Sequence, residues 1–336
     1  VFFMDSLLFL SLACVFCMLA TGAGAIGACY GKDGNNLPSD AEVVSLYKTY
    51  NIKRMRIYNP NKQTLDALTG SNLEVIMGVS NDNIQSLAEK NAAANWVQTN
   101  VVPYASGVTF RYIAVGNEVH PSDGNAQYVL PAMKNIYDAL AAANLQGRVK
   151  VSTAIDTTLL GANFPPSKGE FSTGATSYLN PILSFLASHE APLLLNLYTY
   201  FSYTGNPGSI SLDYALFTST KVVVTDGQYQ YSNLFDAILD AHYAALEKAG
   251  APGLQIVVSE SGWPSAGDSA ATAANAGTYY RNLIDHVKKG SPRKSGQEIE
   301  TYCFAMFDEN LKPAGIEQHW GLFLPSKQLK YQLTFS

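Results

Sequence analysis

The feature that most constrains this chain is a rhythm. Short apolar runs rich in Val, Ile, Leu and Tyr recur at 26–31, 54–59, 75–80, 112–118, 149–155, 193–201, 254–260 and 301–308. Stretches of helical spacing lie between them, such as 232–249, where Leu234, Phe235, Ile238, Leu239, Tyr243 and Leu246 share one face. Strands separated by helices imply βα units and a parallel sheet. Eight such units in a single chain predict a closed (β/α)8 TIM barrel of α/β class. An open doubly wound sheet would need a glycine-rich phosphate turn after an early strand, and no G-x-G-x-x-G or G-x-x-x-x-G-K-[ST] follows one. Residues 202–231, rich in Gly, Ser, Tyr and Pro, interrupt the rhythm and read as an inserted loop or hairpin after the sixth strand. No repeat or linker divides 26–336, which reads as one domain.

The stretch ahead of the first strand has a different character. MDSLLFLSLACVFCMLA, residues 4–20, is apolar, and Ala23-Gly24-Ala25 supplies an A-x-A cleavage signal before Ile26, so 1–25 is expected to be a secretory signal peptide. The apolar core is short of the roughly 20 residues needed to span a bilayer, so no membrane association is expected after its removal. It lacks the usual preceding Lys or Arg, and Met4 rather than Val1 is a candidate start. Cys14 and Cys17 leave with the signal. Cys29 and Cys303 each sit in an apolar run and read as buried free thiols, with a disulfide between them left open. Net charge is −5, and the basic residues are scattered, which argues against a nucleic-acid partner.

Two of the apolar runs end in Glu. RYIAVGNE places Asn117 and Glu118 at the end of the fourth, and LQIVVSE places Glu260 at the end of the seventh. In a barrel of this kind, the loops after the strands' C-terminal ends build the active site, and strands four and seven face each other across the mouth. Paired carboxylates without metal ligands suit glycoside hydrolysis, in which one acid protonates the leaving oxygen and the other attacks or activates water. The five histidines form no H-x-x-x-H or H-x-E grouping, so no metal and no cofactor is expected, and the absence of a G-x-S-x-G elbow disfavours a serine nucleophile. Tyr58, Tyr198, Tyr200, Phe201, Trp263, Phe307 and Phe323 fall at or just past strand ends. As a set they suit stacking on the apolar faces of sugar rings, with core packing as the alternative for any one of them.

IGACYGKDGNNLPS, MRIYNP, RYIAVGNE, LPAMKNIYDAL, VSTAID, APLLLNLYTYFSYTGNPG, VVSESGWPSAG, FAMFDENLKP and WGLFLPSKQLKY together resemble the plant β-1,3-glucanases of glycoside hydrolase family 17. The resemblance covers essentially all of 26–336 and implies a retaining endo-hydrolase of β-1,3-glucans such as callose, fungal wall glucan or laminarin, with a plant defence role. A related class that cuts mixed 1,3;1,4-β-glucans is the alternative. Carried over by position, it makes Glu118 the general acid/base and Glu260 the nucleophile, has Asn117 hold the substrate's 2-hydroxyl, and has Glu309 and Lys312 support the nucleophile's side. The family commonly has Pro at Thr199 and Asn at Asp308, the latter adding a negative charge beside Glu309. The chain stops at Ser336 without a carbohydrate-binding module or lipid-anchor tail, and with its acidic pI the expectation is a monomer secreted to the cell wall space rather than the vacuole.

Overall fold

Eight parallel strands hydrogen-bond in a ring. They are β1 (Ile26–Tyr30), β2 (Arg54–Ile57), β3 (Glu74–Val79), β4 (Thr109–Asn117), β5 (Lys150–Asp156), β6 (Leu193–Asn196), β7 (Ile256–Ser261) and β8 (Thr301–Cys303). The ring closes where Ile26 to Ala28 pair with Thr301 to Cys303. This computed structural model describes residues 26–335; the signal-peptide expectation for 1–25 lies outside the described residues. The expected (β/α)8 barrel is therefore the observed fold.

The main helices between strands are α1 (Asp40–Thr49), α2 (Lys62–Leu68), α3 (Lys90–Asn100), α4 (Ala126–Ala142), α5 (Thr173–Ser188), α6 (Leu234–Lys248) and α7 (Ala273–His286). Local sequence starts them: Ser39 and Glu42 make a capping box on α1, and Asn61, Ser172, Asn233 and Thr272 accept backbone N–H groups at the starts of α2, α5, α6 and α7. Apolar spacing then turns them onto the sheet, as Val129, Ala132, Met133, Ile136 and Leu140 of α4 are all buried.

The two ends of the barrel are built differently. At the strand starts, Arg54 and Arg111 bond Glu74 at 2.7 and 2.9 Å, and Arg111 bonds Glu300 at 2.7 Å, which closes that end with an ion-pair network. The strand ends instead open into the longer loops. The expected interruption after the sixth strand is there: two short helices, Thr199–Gly205 and Leu212–Ala215, then an antiparallel hairpin of Val224–Asp226 and Tyr229–Tyr231. A second hairpin, Leu160–Ala162 with Glu170–Phe171, follows β5 and was not expected. The Ser167 N–H and hydroxyl donate to Asp226 at 2.6 and 2.8 Å and tie these two insertions together.

Three boundaries differ from the sequence reading by three residues or more. The sixth run stops being strand at Asn196 instead of 201, because the chain turns into helix at Thr199, whose buried hydroxyl donates to the Ala215 carbonyl at 3.0 Å. The eighth strand is Thr301–Cys303 rather than 301–308, and the fourth begins at Thr109 rather than 112. Cys29 and Cys303 are free buried thiols on neighbouring strands, and burial pushes the Cys29 thiol up to about 12.

Candidate active site

Backbone irregularity aims both acids. On β4, Ala114 and Asn117 pair with Ser152 and Ala154, so β4 carries one more residue than its partner over the interval. On β7, Val258 and Glu260 pair with Leu195 and Asn196, again one residue extra. Such bulges bend a strand and re-aim a side chain. Within the β4 bulge and just past it the backbone turns left-handed, with φ of +79° at Gly116 and +53° at Glu118. Glycine takes that conformation freely, whereas Glu118 adopts it at a cost and is held there by its N–H, which donates to the Ala154 carbonyl at 2.8 Å.

One cation organises what lies between the acids. Arg56 of β2 is 1% exposed and points into the barrel, where its Nη1 meets Glu260 Oε1 and Asn196 Oδ1 at 2.9 Å each. Its Nη2 donates to Asn117 Oδ1 at 2.7 Å. An arginine only donates, so these bonds orient both amides. The oxygen of Asn196 faces Arg56 and its Nδ2 donates to Glu118 Oε1 at 2.8 Å. The oxygen of Asn117 is taken by Arg56 and by Asn196 Nδ2 at 3.0 Å, which turns the Asn117 NH2 away from both.

The two carboxyl groups thus live in different surroundings. Glu260 is 5% exposed and accepts from Arg56, from the Tyr58 hydroxyl at 2.7 Å and from the Tyr198 hydroxyl at 2.6 Å. Three donors converge on it, an arrangement that suits an attacking carboxylate. Glu118 accepts from Asn196. Burial, and next the charge of Glu260, push its carboxyl up to about 7. One acid keeps a proton near neutrality while its neighbour is held by cation and hydroxyls, which is the division of labour an acid and a nucleophile require.

Glu309 and Lys312 follow β8 and line the same cleft as Glu260. Glu309 is 3% exposed, accepts the Asp33 N–H at 2.7 Å and pairs with Lys312 at 3.5 Å, so it is not a solvated surface pair. Gly31 makes room for it, since a side chain there would collide with the Glu309 carboxylate. Burial raises Glu309 and Lys312 opposes that. Asp308 adds no charge beside Glu309 in need of a partner: it binds Lys330 at 2.8 Å and the Gly321 N–H at 2.8 Å.

A cleft of about 660 Å³ runs over this group. Of the residues singled out from sequence, Tyr58, Asn117, Glu118, Tyr198, Phe201, Glu260, Glu309 and Lys312 line it. Tyr200, Trp263, Phe307 and Phe323 do not; all four are at most 2% exposed and belong to the core, which corrects their assignment to the rim. The helix beginning at Thr199 sends Tyr200 inward, where its hydroxyl binds Asp268 at 2.7 Å and its ring meets Trp263 at 5.0 Å, while Phe201 stays 47% exposed. Trp263 donates its indole N–H to the Ala270 carbonyl at 2.9 Å. Phe307 and Phe323 pack against each other and against Tyr30 and Tyr50. The aromatic wall of the cleft is instead Tyr198, Phe201, Phe304 and Trp320, with Trp320 within 6 Å of each of the other three.

The family model for glycosyl hydrolases family 17 matches residues 26–335. The chain belongs to that family. A glucan endo-1,3-beta-glucosidase of Vitis vinifera is 61% identical over 95% of this chain and 94% of its own. A basic vacuolar glucan endo-1,3-beta-glucosidase of Nicotiana tabacum is 54% identical over 94% of this chain and 86% of its own. Among solved structures, a β-1,3-glucanase and allergen of Cryptomeria japonica pollen superposes with a TM-score of 0.90 at 49% identity, over 93% of this chain and 99% of that one.

The family 17 barrel carries site residues that sequence reasoning missed: Arg56 and Asn196 between the acids, Asp156 at the end of β5, and Phe304 and Trp320 in the wall. Asp156 had a signal, since it is a polar residue directly after the apolar run 149–155, whereas Asn196 is hidden inside the run 193–201. Arg56 had none beyond being a charge inside MRIY.

Proposed function

We propose that the protein is an endo-acting hydrolase of β-1,3-glucans that retains anomeric configuration, with Glu118 as general acid/base and Glu260 as nucleophile. The observation that carries this reading is the continuous chain Glu118–Asn196–Arg56–Glu260, which joins two carboxyl groups yet gives them opposite environments. In the first step Glu260 attacks the anomeric carbon, the glycosidic C–O bond breaks, and the Glu118 proton passes to the leaving oxygen. In the second, Glu118 takes a proton from water, whose oxygen attacks the same carbon and releases Glu260. The Asn117 NH2, turned away from Arg56, supports a role in holding the sugar's 2-hydroxyl, and the Tyr198, Phe201, Phe304 and Trp320 rings support stacking on neighbouring sugars.

Endo cleavage is supported by the breadth of the cleft. Lys32 and Asp33 after β1 line it together with Thr157 and Thr158 after β5, on opposite sides of the ring, so a polymer can cross the mouth. Laminarin is expected to yield a ladder of oligosaccharides from the first time points, followed by chromatography. Glucose alone would replace this reading with an exo-acting one, and faster cleavage of mixed 1,3;1,4-β-glucan would move the specificity to that class. Secretion to the cell wall space goes with the acidic pI of about 5.5, while a defence role against fungal wall glucan is supported by the family alone.

The pH profile tests the acid. Since Glu118 must be protonated in the first step and its carboxyl sits at about 7, kcat/KM should fall as pH rises through that value. Glu118→Gln should lower kcat on laminarin by about 10²–10⁴-fold and abolish the alkaline limb. A variant that kept both rate and limb would reject the assignment.

A further inference from the structure

His120 and Asp156 form an ion pair at the rim that the catalytic scheme leaves unused. His120 follows Glu118 by two residues, and its Nε2 lies 2.7 Å from Asp156 Oδ2. Each partner is anchored from its own loop. The His120 N–H donates to Asp123 at 2.8 Å, and the Asp123 N–H returns a bond to the His120 carbonyl at 2.9 Å. The other oxygen of Asp156 accepts the Thr158 N–H and hydroxyl at 2.7 and 2.6 Å, which shapes the turn that lines the cleft beside Glu118.

We infer that His120 and Asp156 are a positioning pair for the family 17 reaction: they staple the loop after β4 to the end of β5, hold Glu118 in its left-handed backbone conformation, and set the electric field at its carboxyl. This rests on the reading of Glu118 as the acid. Two independent features carry it. The first is mechanical. The backbone at Glu118 has φ of +53° and is tied to β5 through the Ala154 carbonyl, and the His120–Asp156 bond is a second tie between the same two segments on the far side of the same residue. The second is electrostatic. The charged groups that face Glu118 are Glu260 of β7, Asp156 of β5, Arg56 of β2 and His120 just after β4. Asp156 and Glu260 favour its protonated form and Arg56 opposes it.

The pair itself is responsive. The bond to Asp156, chiefly, raises His120 above its ordinary value of 6.5, with Asp123 and Glu118 acting in the same direction. On the α6 side, His242 also feels Asp156 but is pushed down to about 4 by burial, and so contributes no cation near neutrality. The charge opposite Asp156 is therefore that of His120, and the field at Glu118 depends on how far the imidazolium cancels Asp156.

The two halves of the pair should move the alkaline limb of kcat/KM on laminarin in opposite directions. Asp156→Asn removes an anion and should shift the limb down by roughly half a pH unit, while His120→Gln exposes Asp156 and should shift it up by about as much. His120→Lys restores a cation and should bring the limb back. Thermal unfolding of each variant shows that it is folded at the assay temperature, and His120→Asn serves if His120→Gln is not. Limbs that stay in place, or that move together, would overturn the inference. Glu118→Gln in the same series separates the two readings: if it retains the rate, the acid assignment fails, and if it loses the rate while the pair variants leave the limb unmoved, only the positioning role fails.

Discussion

Glu260→Ala is expected to lower hydrolysis of β-1,3-glucan by a factor on the order of 10⁴ or more, the scale seen when a covalent catalytic group is removed, and azide should restore turnover of an activated β-glucosyl substrate as the α-glycosyl azide. The reason is geometric. In the proposed mechanism, the space that Glu260→Ala leaves among Arg56, Tyr58 and Tyr198 receives the anion, which attacks the face of the sugar assigned to Glu260 and inverts the centre once. Glu118→Ala should behave in the opposite way on a substrate whose leaving group needs no proton. Glu260 still forms the glycosyl intermediate, and azide intercepts it to give the β product. The anomeric configuration of each azide, read from proton couplings, decides the roles: β from Glu260→Ala with α from Glu118→Ala would exchange them, and inverted sugar from the intact enzyme would reject retention. A retaining reaction also expects the two carboxyl groups to lie roughly 5 to 5.5 Å apart.

Arg56→Met should lower stability by about 3–5 kcal/mol, because the substitution leaves the buried carboxylate of Glu260 without its counter-charge. Arg56 and Glu260 have side chains 2% and 7% exposed, so solvent screens the pair little. The same change frees the oxygens of Asn117 and Asn196 from the donor that orients them, so activity should fall by about 10²-fold or more as both acids lose their alignment. Chemical denaturation of Arg56→Met, Glu260→Gln and the double variant measures the coupling between the two. The double variant should recover most of the stability lost by Arg56→Met, since a neutral amide does not need the guanidinium. Independent, additive losses would show that Arg56 supports the barrel without supporting Glu260.

The order of elements was legible in the sequence because periodicity is a local property. All eight apolar runs became barrel strands, and the acids at the ends of the fourth and seventh stand at the mouth, since the C-terminal end of every strand faces the same side of a parallel barrel. The insertion after the sixth strand was legible from its composition. The hairpin after β5 was not, because Leu160–Ala162 and Glu170–Phe171 are too short to show an alternating pattern.

The aromatics divide the legible from the illegible most sharply. Proximity to a strand end put Tyr198, Tyr200, Phe201 and Trp263 in one class, yet only Tyr198 and Phe201 line the cleft. What separates Tyr200 from Phe201 is the helical turn that starts at Thr199, and LNLYTYF reads equally well as strand. Phe304 and Trp320 join the wall from the segment beyond β8, brought there by chain closure rather than by any pattern near them.

By itself the sequence determined the class of fold, the family, and the identity and placement of two carboxylates at one end of a barrel, because each depends on residue type and on spacing along the chain. Tertiary structure alone decided what makes those carboxylates unequal. One extra residue in β4 and one in β7 rotate Glu118 and Glu260 toward a common centre, and Arg56, Asn196, Tyr58 and Tyr198 arrive there from β2, β6 and the loops that follow them. Those contacts join residues up to 204 positions apart. Hydrogen bonds, burial and charge act over a few ångströms in space, so the proton that stays on Glu118 and the donors that converge on Glu260 exist only once the barrel has closed.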